Sequence, residues 1–336
     1  MRFGALCLAG LMLAACSSAM AAESAAGFYK NKTITLVIGA DPGGTYDPPG
    51  RLLARHLPKH IPGTPRMVVE DMPGAGSALA ANYLMGAPQD GTVLVGLLGT
   101  IALAQALGEV KLQADLTKLQ WIGNMAEQAE VVLVWHTAPA NTIEDAKRVA
   151  LIMGAPSPGT NTGMMPRILN HVLGTKFKVI TGYGFASLDV AMERGEIHGQ
   201  AGASWMPRGK YADMVKAGTL RVLLQSSFRD PSLGDVPLLQ DLVDKNSEGG
   251  QLIELFSSPG VIGKPTIAGP GVPKERVALL RKAYEETMID PAFLADAERI
   301  GVPIHPVSGE ELQSVVKRIA EMPPARIAAA KAALAD

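Results

Sequence analysis

The chain has 336 residues and a formal net charge of −1, and only 5% of its residues are aromatic. This charge gives no basic face, which argues against nucleic acid as a partner. With so few rings for stacking, a small polar acid is a better candidate ligand than a carbohydrate.

The first 21 residues have the pattern of a secretory signal peptide. Arg2 provides the positive start, and residues 3–15 form an apolar run of about 13 residues that is too short to span a bilayer. Two cleavage sites remain open: Ala19-Met20-Ala21 would release a protein that starts at Ala22, whereas Leu13-Ala14-Ala15-Cys16 resembles a lipobox. In the second case residues 1–15 are removed, and a lipid on Cys16 anchors the chain to a membrane. Either site predicts export.

The pattern of the rest of the chain predicts an α/β protein that is stabilised by its hydrophobic core and not by disulfides. The two cysteines, Cys7 and Cys16, both lie in the leader, and about 310 residues remain, which is enough for two domains. Strand-like and helix-like runs alternate, which predicts α/β layers with mostly parallel strands. The predicted strands are 33–39, 67–70, 92–98, 131–135, 149–153, 178–181, 197–201 and 220–225, with two short β-like runs in 249–267. The predicted helices are 48–57, 78–85, 142–148, 164–173, 187–194, 273–287, 292–300 and 312–319, followed by a tail helix in 323–336.

Three glycine-rich turns connect a strand-like run to a helix-like run. The first turn is 41–45, the second is 73–77 and the third is 154–163. Such a turn places backbone N–H groups at the positive end of a helix, where they can bind an anion. Hydroxyls at Thr45, Ser77, Thr160 and Thr162 would add donors, and no lysine or arginine lies inside the turns. The alternative is that tight βα connections contain glycine for its backbone freedom alone.

Catalytic patterns are incomplete. His56 and His60 have helical spacing, but Pro58 lies between them and breaks the helix, so no metal site is predicted. The segment 202–206 lacks the last glycine of a nucleophile elbow. The second turn begins like a dinucleotide fingerprint, but Leu79 stands where a small residue is needed. We therefore expect a protein that holds an anion without converting it, with no catalytic residue and no cofactor.

Six motifs occur in a characteristic order. They are a strand at 32–38 followed by Pro42-Gly43-Gly44-Thr45-Tyr46-Asp47, then Glu70–Gly76, Pro88–Thr92, Pro158–Thr160, Gly182–Asp189 and Gly271–Lys274. In order and spacing they resemble the tripartite tricarboxylate transporter receptors, also called Bug receptors. The likeness runs from about Phe28 to Ile319.

The resemblance implies a two-lobed periplasmic binding protein of type II, in which each lobe is a mixed sheet flanked by helices and the ligand lies between the lobes. Lobe 1 would comprise 28–131 and 226–322, and lobe 2 would comprise 132–225. The first two turns would hold one ligand carboxylate, and the third turn would help to hold the other end. The implied ligand-binding residues are Gly43, Gly44, Thr45, Tyr46, Asp47, Gly74, Ala75, Gly76, Ser77, Thr100, Ser157, Thr160, Asn161, Tyr183 and Asp189.

The implied function is the capture of a small organic carboxylate and its delivery to a transporter with two integral-membrane subunits, by a monomeric receptor. The alternative is a receptor of the same architecture that signals to a membrane kinase, and an exported hydrolase is a third class. The chain departs from the family at Asp41, where an apolar residue is usual, at Ser77, where glycine is common, and after Tyr183, where a lysine is missing. A carboxylate at Asp41 is unfavourable beside a bound anion unless the ligand carries a donor or a cation neutralises it. Asp47 is better placed to cap a helix than to contact ligand.

Overall fold

The computed structural model describes residues 25–127, 129–227 and 229–335. The signal peptide, both cleavage sites and Cys16 lie outside the described residues. Among the residues that the structure describes, no helix combines the length and the apolar character needed to cross a membrane.

Eleven strands in the described part of the chain form two sheets. In chain order the strands are β1 (Thr33–Ile38), β2 (Arg66–Asp71), β3 (Val93–Gly96), β4 (Gln120–Asn124), β5 (Glu130–Trp135), β6 (Leu151–Ala155), β7 (Phe177–Thr181), β8 (Gly199–Ser204), β9 (Leu220–Ser226), β10 (Pro265–Ala268) and β11 (Val307–Ser308).

The α-helices of the described residues flank these sheets. They are α1 (Ala25–Phe28), α2 (Asp47–His56), α3 (Ala78–Gly86), α4 (Ile101–Leu107), α5 (Ile143–Ala146), α6 (Asn161–Leu173), α7 (Phe185–Glu193), α8 (Lys210–Lys216), α9 (Glu248–Ile262), α10 (Lys274–Met288), α11 (Pro291–Arg299), α12 (Gly309–Ala320) and α13 (Pro324–Ala335).

Both sheets are mixed. The six-stranded sheet of lobe 1 has the order β11-β4-β10-β3-β1-β2; β1 pairs in parallel with β2 and β3, and β10 runs antiparallel to β3 and β4. The five-stranded sheet of lobe 2 has the order β7-β6-β8-β5-β9; β6 pairs in parallel with β7 and β8, and β5 runs antiparallel to β8 and β9. The predicted fold class, two lobes that are each a mixed sheet flanked by helices, is confirmed.

Side-chain caps begin two of the helices predicted from the sequence. Thr142 accepts a hydrogen bond from the Asp145 N–H, and the Asp145 side chain accepts one in return, which is a complete capping box for α5. Ser308 accepts from the Glu311 N–H at the start of α12. Pro58 ends α2 as predicted, since the chain continues as a 3₁₀ turn over Leu57–His60.

The prediction of a β-like run at the start of 249–267 is wrong, because those residues form α9. Ser247 caps this helix by accepting from the Gly250 N–H. Its apolar residues Leu252, Ile253 and Phe256 are buried in the core cluster of lobe 2 together with Ile168 of α6. Tertiary burial therefore decides the conformation of a segment whose local pattern is ambiguous. The tail helix α13 also packs against α6, and Arg167 donates to the Leu334 carbonyl.

Two connections between the sheets meet at Asn124, which is fully buried. Its side chain donates to the carbonyls of Ala126 and Val261 and accepts from the N–H groups of Ala126 and Lys264. The chain leads from β4 into β5 of lobe 2 after Asn124, and 263–264 lead back to β10. One amide side chain thus ties both connections together. The exact lobe limits given above stay a prediction, and within them α9 packs on lobe 2.

Candidate functional site

The glycine-rich turns lie at the carboxyl ends of parallel strands. In lobe 1 the first turn follows β1, the second follows β2 and the loop 97–100 follows β3. In lobe 2 the third turn follows β6, and 182–184 follows β7. Carboxyl ends of neighbouring parallel strands share one edge of a sheet, which is where α/β folds bind ligands. The two edges face each other across a cleft.

Two cavities occupy this cleft, and Leu98 and Phe185 line both of them. The main cavity has a volume of about 300 Å³ and the second cavity of about 290 Å³. Seven of the residues implied by the resemblance line the main cavity, namely Gly43, Gly44, Thr45, Tyr46, Thr100, Asn161 and Asp189. Seven line the second cavity, namely Gly74, Ala75, Gly76, Ser77, Ser157, Thr160 and Tyr183. Asp47 lines neither.

The first turn is held together by the Asp47 carboxylate and the Asp41 backbone carbonyl. The Gly43 N–H donates to Asp47 Oδ2 at 2.8 Å, and the Gly44 N–H donates to the Asp41 carbonyl at 3.1 Å. Asp47 also pairs with Arg51 at 2.6 Å. The interpretation of Asp47 as a helix cap is wrong in detail: Asp47 is the first residue of α2 and shapes the preceding turn, while Tyr46 holds the cap position without a side-chain bond.

The second turn needs an unusual backbone. Gly74, Ala75, Gly76 and Ser77 all have positive φ, at 136°, 46°, 63° and 72°. Glycine adopts such angles without strain, whereas Ala75 and Ser77 do so at a cost. The buried Ser77 hydroxyl donates to the Gly39 carbonyl at 2.7 Å and accepts from the Leu98 N–H at 3.0 Å. This hydroxyl therefore links the backbone directly after β1 to the loop that follows β3.

Polar residues of the third turn line both cavities: Thr160 lines the second cavity, and Asn161 lines the main cavity. Thr160 is the cap residue of α6, and its hydroxyl donates to the Ser157 carbonyl at 2.7 Å. Asn161, the first residue of α6, donates to the Gly202 carbonyl at 3.0 Å. Its Oδ1 is buried with no hydrogen-bond partner among the described residues.

Asp41 crosses the cleft. Its carboxylate accepts a hydrogen bond of 2.6 Å from the Phe185 N–H, at the N-terminus of α7 in lobe 2. The Phe185 ring in turn packs against Ile38 and Leu98 of lobe 1. The first turn of α7 carries a positive partial charge, which Asp41 complements. The expected conflict between Asp41 and a bound anion is thus resolved by the helix N-terminus.

Further contacts join the lobes on either side of the cleft. Arg167 of α6 lies 3.5 Å from Glu109, which follows α4. Arg208, between β8 and α8, lies 3.0 Å from Glu298 of α11. These two ion pairs and the Asp41–Phe185 hydrogen bond therefore link elements of the two lobes in this structure.

Polar atoms without partners gather in the main cavity. Thr100 Oγ1, Glu130 Oε2, Asn161 Oδ1 and Asp189 Oδ1 are buried and have no hydrogen-bond partner among the described residues. The second cavity holds one such atom, Ser157 Oγ. Buried polar groups are usually satisfied, so a cluster of unsatisfied groups in a cavity marks a ligand site.

Glu130 is the main residue that the sequence reasoning missed. It is 6% exposed and heads β5 at the back of the main cavity. Burial raises the pKa of its carboxyl to about 8. Polar contacts with Asn161 and Ser227 and the charge of Lys264 lower the pKa, but burial is the larger effect. The available signal was a charged residue at the start of the apolar run 131–135.

Lys264 and Tyr46 lie near Glu130. Burial lowers the pKa of Lys264 to about 7, and the charge of Glu130 opposes this change. The Lys264 ammonium lies 5.1 Å from the centre of the Tyr46 ring. Burial raises the pKa of Tyr46, and the negative charge of Glu130 raises it further. Tyr46 and Glu130 both line the main cavity, and Lys264 acts on them from outside its lining.

The remaining predicted residues have protein partners. Asp189 Oδ2 pairs with Lys210 at 2.5 Å at the mouth of the main cavity. The Tyr183 hydroxyl lies 3.4 Å from Glu196. His56 and His60 bond to Asp296 and Asp290, each at 2.9 Å, and no group of three or more metal-ligating side chains occurs in the part of the chain that the structure describes.

Comparison with solved structures identifies the fold. The periplasmic binding protein BugD superposes with a TM-score of 0.73 at 18% identity, over 91% of this chain and 98% of BugD. An R. palustris protein solved with adipate gives 0.72 at 19% identity, over 90% and 97%. The chain has the fold of a Bug-type periplasmic binding protein. MatC from Rhodopseudomonas palustris, solved with bound malate, gives 0.68 at 19% identity, over 90% and 99%.

Comparison by sequence also finds a related protein. A Cupriavidus necator protein described as "UPF0065 protein in gbd 5'region" is 29% identical over 262 residues, which cover 74% of this chain and 76% of the relative. No protein-family model matches the chain. The resemblance to Bug receptors drawn from the sequence motifs is confirmed.

Proposed function

We propose that this protein is a periplasmic solute-binding receptor that captures a small organic carboxylate in the main cavity. The observation that carries the proposal is the convergence of helix N-termini on that cavity. Tyr46 precedes α2, Asn161 and Thr162 open α6, and Phe185 and Ala186 open α7, and all five residues line it. N–H groups at helix starts bind anions without a basic side chain.

The basic side chains at the cavity are committed elsewhere. Arg208 is 63% exposed and pairs with Glu298, and Lys210 is 65% exposed and pairs with Asp189. Backbone N–H groups at the helix starts and the unpartnered Thr100 hydroxyl are therefore available as donors for a ligand carboxylate. Relatives of the same fold were solved with adipate and malate, which supports an acid of this size.

The proposal includes the partners and the compartment. The receptor acts as a monomer after export, and it delivers its ligand to a membrane transporter with two integral-membrane subunits. It binds without chemical conversion, and the lobes open and close about the connections at Asn124. Support comes from the Bug-type fold and from the division of the strands into two separate sheets.

Titration calorimetry with C4 to C6 dicarboxylates and their 2-amino derivatives tests the proposal. We expect one acid to bind with one-to-one stoichiometry and to raise the free energy of unfolding by about 2.7 kcal/mol at 100 times its dissociation constant. NMR after a long incubation should recover the acid unchanged. The matched diamides, which lack the charge, serve as controls. Binding of the diamides as tightly as the acids, or release of a product, would contradict the proposal.

A further inference from the structure

Glu130 presents an acceptor to the main cavity that the protein leaves unused. Its side chain is more than nine-tenths buried, and Oε2 has no hydrogen-bond partner among the described residues. A buried carboxylate oxygen without a partner is costly, and the cost is recovered when a donor reaches it. Because Glu130 lines the cavity, the ligand is the group that can supply this donor.

The other unpartnered atoms have the same polarity. Asn161 Oδ1 and Asp189 Oδ1 are acceptors, so three of the four unpartnered atoms in this cavity require a donor. The fourth, the Thr100 hydroxyl, can donate to an acid. A plain dicarboxylate, which offers only acceptors, would match Thr100 and the helix N-termini but would leave Asn161 Oδ1, Asp189 Oδ1 and an ionised Glu130 without a donor.

Nearby protein cations do not fill this role. Lys210 pairs with the other oxygen of Asp189, and Arg208 pairs with Glu298. Lys264 lies against the Tyr46 ring and does not line the main cavity. When Glu130 is ionised, its charge is therefore compensated only at a distance, by Lys264.

We propose that Glu130 determines the specificity of the site by accepting a hydrogen bond from an ammonium group, so that the ligand is an amino-substituted acid. This inference rests on the proposed function, because it assumes that an acid occupies the main cavity. Because the Phe185 N–H at the start of α7 already donates to Asp41, the acid's carboxylate lies toward Thr100 and the N-terminus of α6. Its ammonium lies toward Glu130 and Asn161 Oδ1, where three donor hydrogens meet the available acceptors.

The protonation of Glu130 fits this arrangement. With its pKa raised to about 8 by burial, the free carboxyl is largely protonated at pH 7. An ammonium beside it favours the carboxylate, so binding should release a proton from Glu130. The charged and titratable groups that act on Glu130 are Lys264, directly before β10, and Tyr46, directly after the first turn. Lys264 does not line the main cavity.

The experiment compares matched pairs of acids that differ only in a 2-amino group: succinate with aspartate, glutarate with glutamate, and adipate with 2-aminoadipate. We expect the amino acid of the best-binding pair to bind at least about tenfold more tightly than its plain partner, the range of a hydrogen bond to a charged group. In Glu130→Gln this preference should fall to about threefold or less, because the amide adds a donor and removes the charge. Glu193→Gln, at an exposed position on α7, is the matched control and should keep the preference.

The outcomes separate this inference from the proposed function. If no acid of either series binds, the proposed function fails. If a plain acid binds as tightly as its amino partner, or if Glu130→Gln keeps the tenfold preference, the acid site stands and the role of Glu130 is refuted. Circular dichroism and thermal unfolding establish first that both variants are folded.

A second measurement needs no variant. The calorimetric enthalpy is compared in phosphate and in Tris at pH 7, because these buffers differ in ionisation enthalpy and so report proton release. We expect the amino acid to release up to about one proton per ligand and the plain acid to release none, following the raised pKa of Glu130. Equal proton release for both members of a pair would contradict the inference.

Discussion

The main cavity and the second cavity lie on either side of Leu98 and Phe185, and each is lined by a glycine-rich turn of lobe 1 together with part of the third turn of lobe 2. They differ in how their polar side chains are used. In the second cavity Ser77 and Thr160 bond to backbone groups of the protein. In the main cavity four polar atoms remain unpartnered among the described residues.

This difference distinguishes polar groups that stabilise the fold from polar groups that are available to bind a ligand. A hydroxyl that satisfies buried backbone groups stabilises the fold and has little left for a ligand, whereas an unsatisfied buried hydroxyl destabilises the empty protein and strengthens binding. Gly76 of the second turn lies close to the third turn, since a Cβ there would be 3.6 Å from Ser157 Oγ and 3.7 Å from Thr160 Cγ2. The second cavity is therefore largely a contact region between the lobes.

Ser77→Ala should give the largest change in stability. It removes the bonds to the Gly39 carbonyl and the Leu98 N–H, which leaves two buried backbone groups unsatisfied. We expect the free energy of unfolding to fall by about 1–3 kcal/mol, measured by urea denaturation. The affinity for acid, measured on the folded fraction, should change less than about threefold. A loss of affinity without a loss of stability would place the ligand at the second turn instead.

Thr100→Val is the reciprocal change in the main cavity. It replaces a buried, unpartnered hydroxyl with a methyl group of similar volume. We expect affinity to fall about tenfold, because a donor to the ligand carboxylate is lost, while stability stays equal or rises. The measurements are calorimetry and urea denaturation on the same preparations. If affinity were unchanged while stability fell, Thr100 would be a structural residue like Ser77.

Asp41→Ala tests the contact between the cavities. Its carboxylate bonds to the α7 N-terminus across the lobes, so its loss should favour an open form of the free protein. We expect a larger radius of gyration without ligand, by small-angle scattering, and about fivefold weaker binding of every acid, with or without an amino group. Asp235→Ala, at an exposed position that lines neither cavity, is the control. A change confined to one class of acid would instead place Asp41 in contact with the ligand.

The sequence predicts the positions of the turns better than their roles. A strand, a glycine turn and a helix in succession place 41–45, 73–77 and 154–163 at the carboxyl edges of their sheets, as the structure has them. It does not reveal that Ser77 bonds to Gly39, that Asp41 reaches Phe185 or that Glu130 enters the cavity. These contacts join residues 38, 144 and 31 positions apart, the last between Glu130 and Asn161. Only the tertiary structure decides which partner each side chain finds.

The dependence of stability on pH gives the smallest expected effect and concerns Glu130 in the empty main cavity. Its folded pKa is raised to about 8 by burial, so the stability it contributes is fully present below its ordinary pKa of 4.5 and is lost as pH rises through about 8. Lys264 has a lowered pKa of about 7, so its contribution is lost as pH falls through 7. The wild-type protein should therefore be least stable near pH 7–8.

Glu130→Gln removes the first contribution. We expect the melting temperature of the variant minus that of the wild type to be about 2 °C larger at pH 8 than at pH 5. Differential scanning calorimetry without ligand measures both, with Glu193→Gln as the exposed control. Parallel curves for Glu130→Gln and the wild type would mean that Glu130 is ionised throughout, and that the main cavity holds a permanent negative charge.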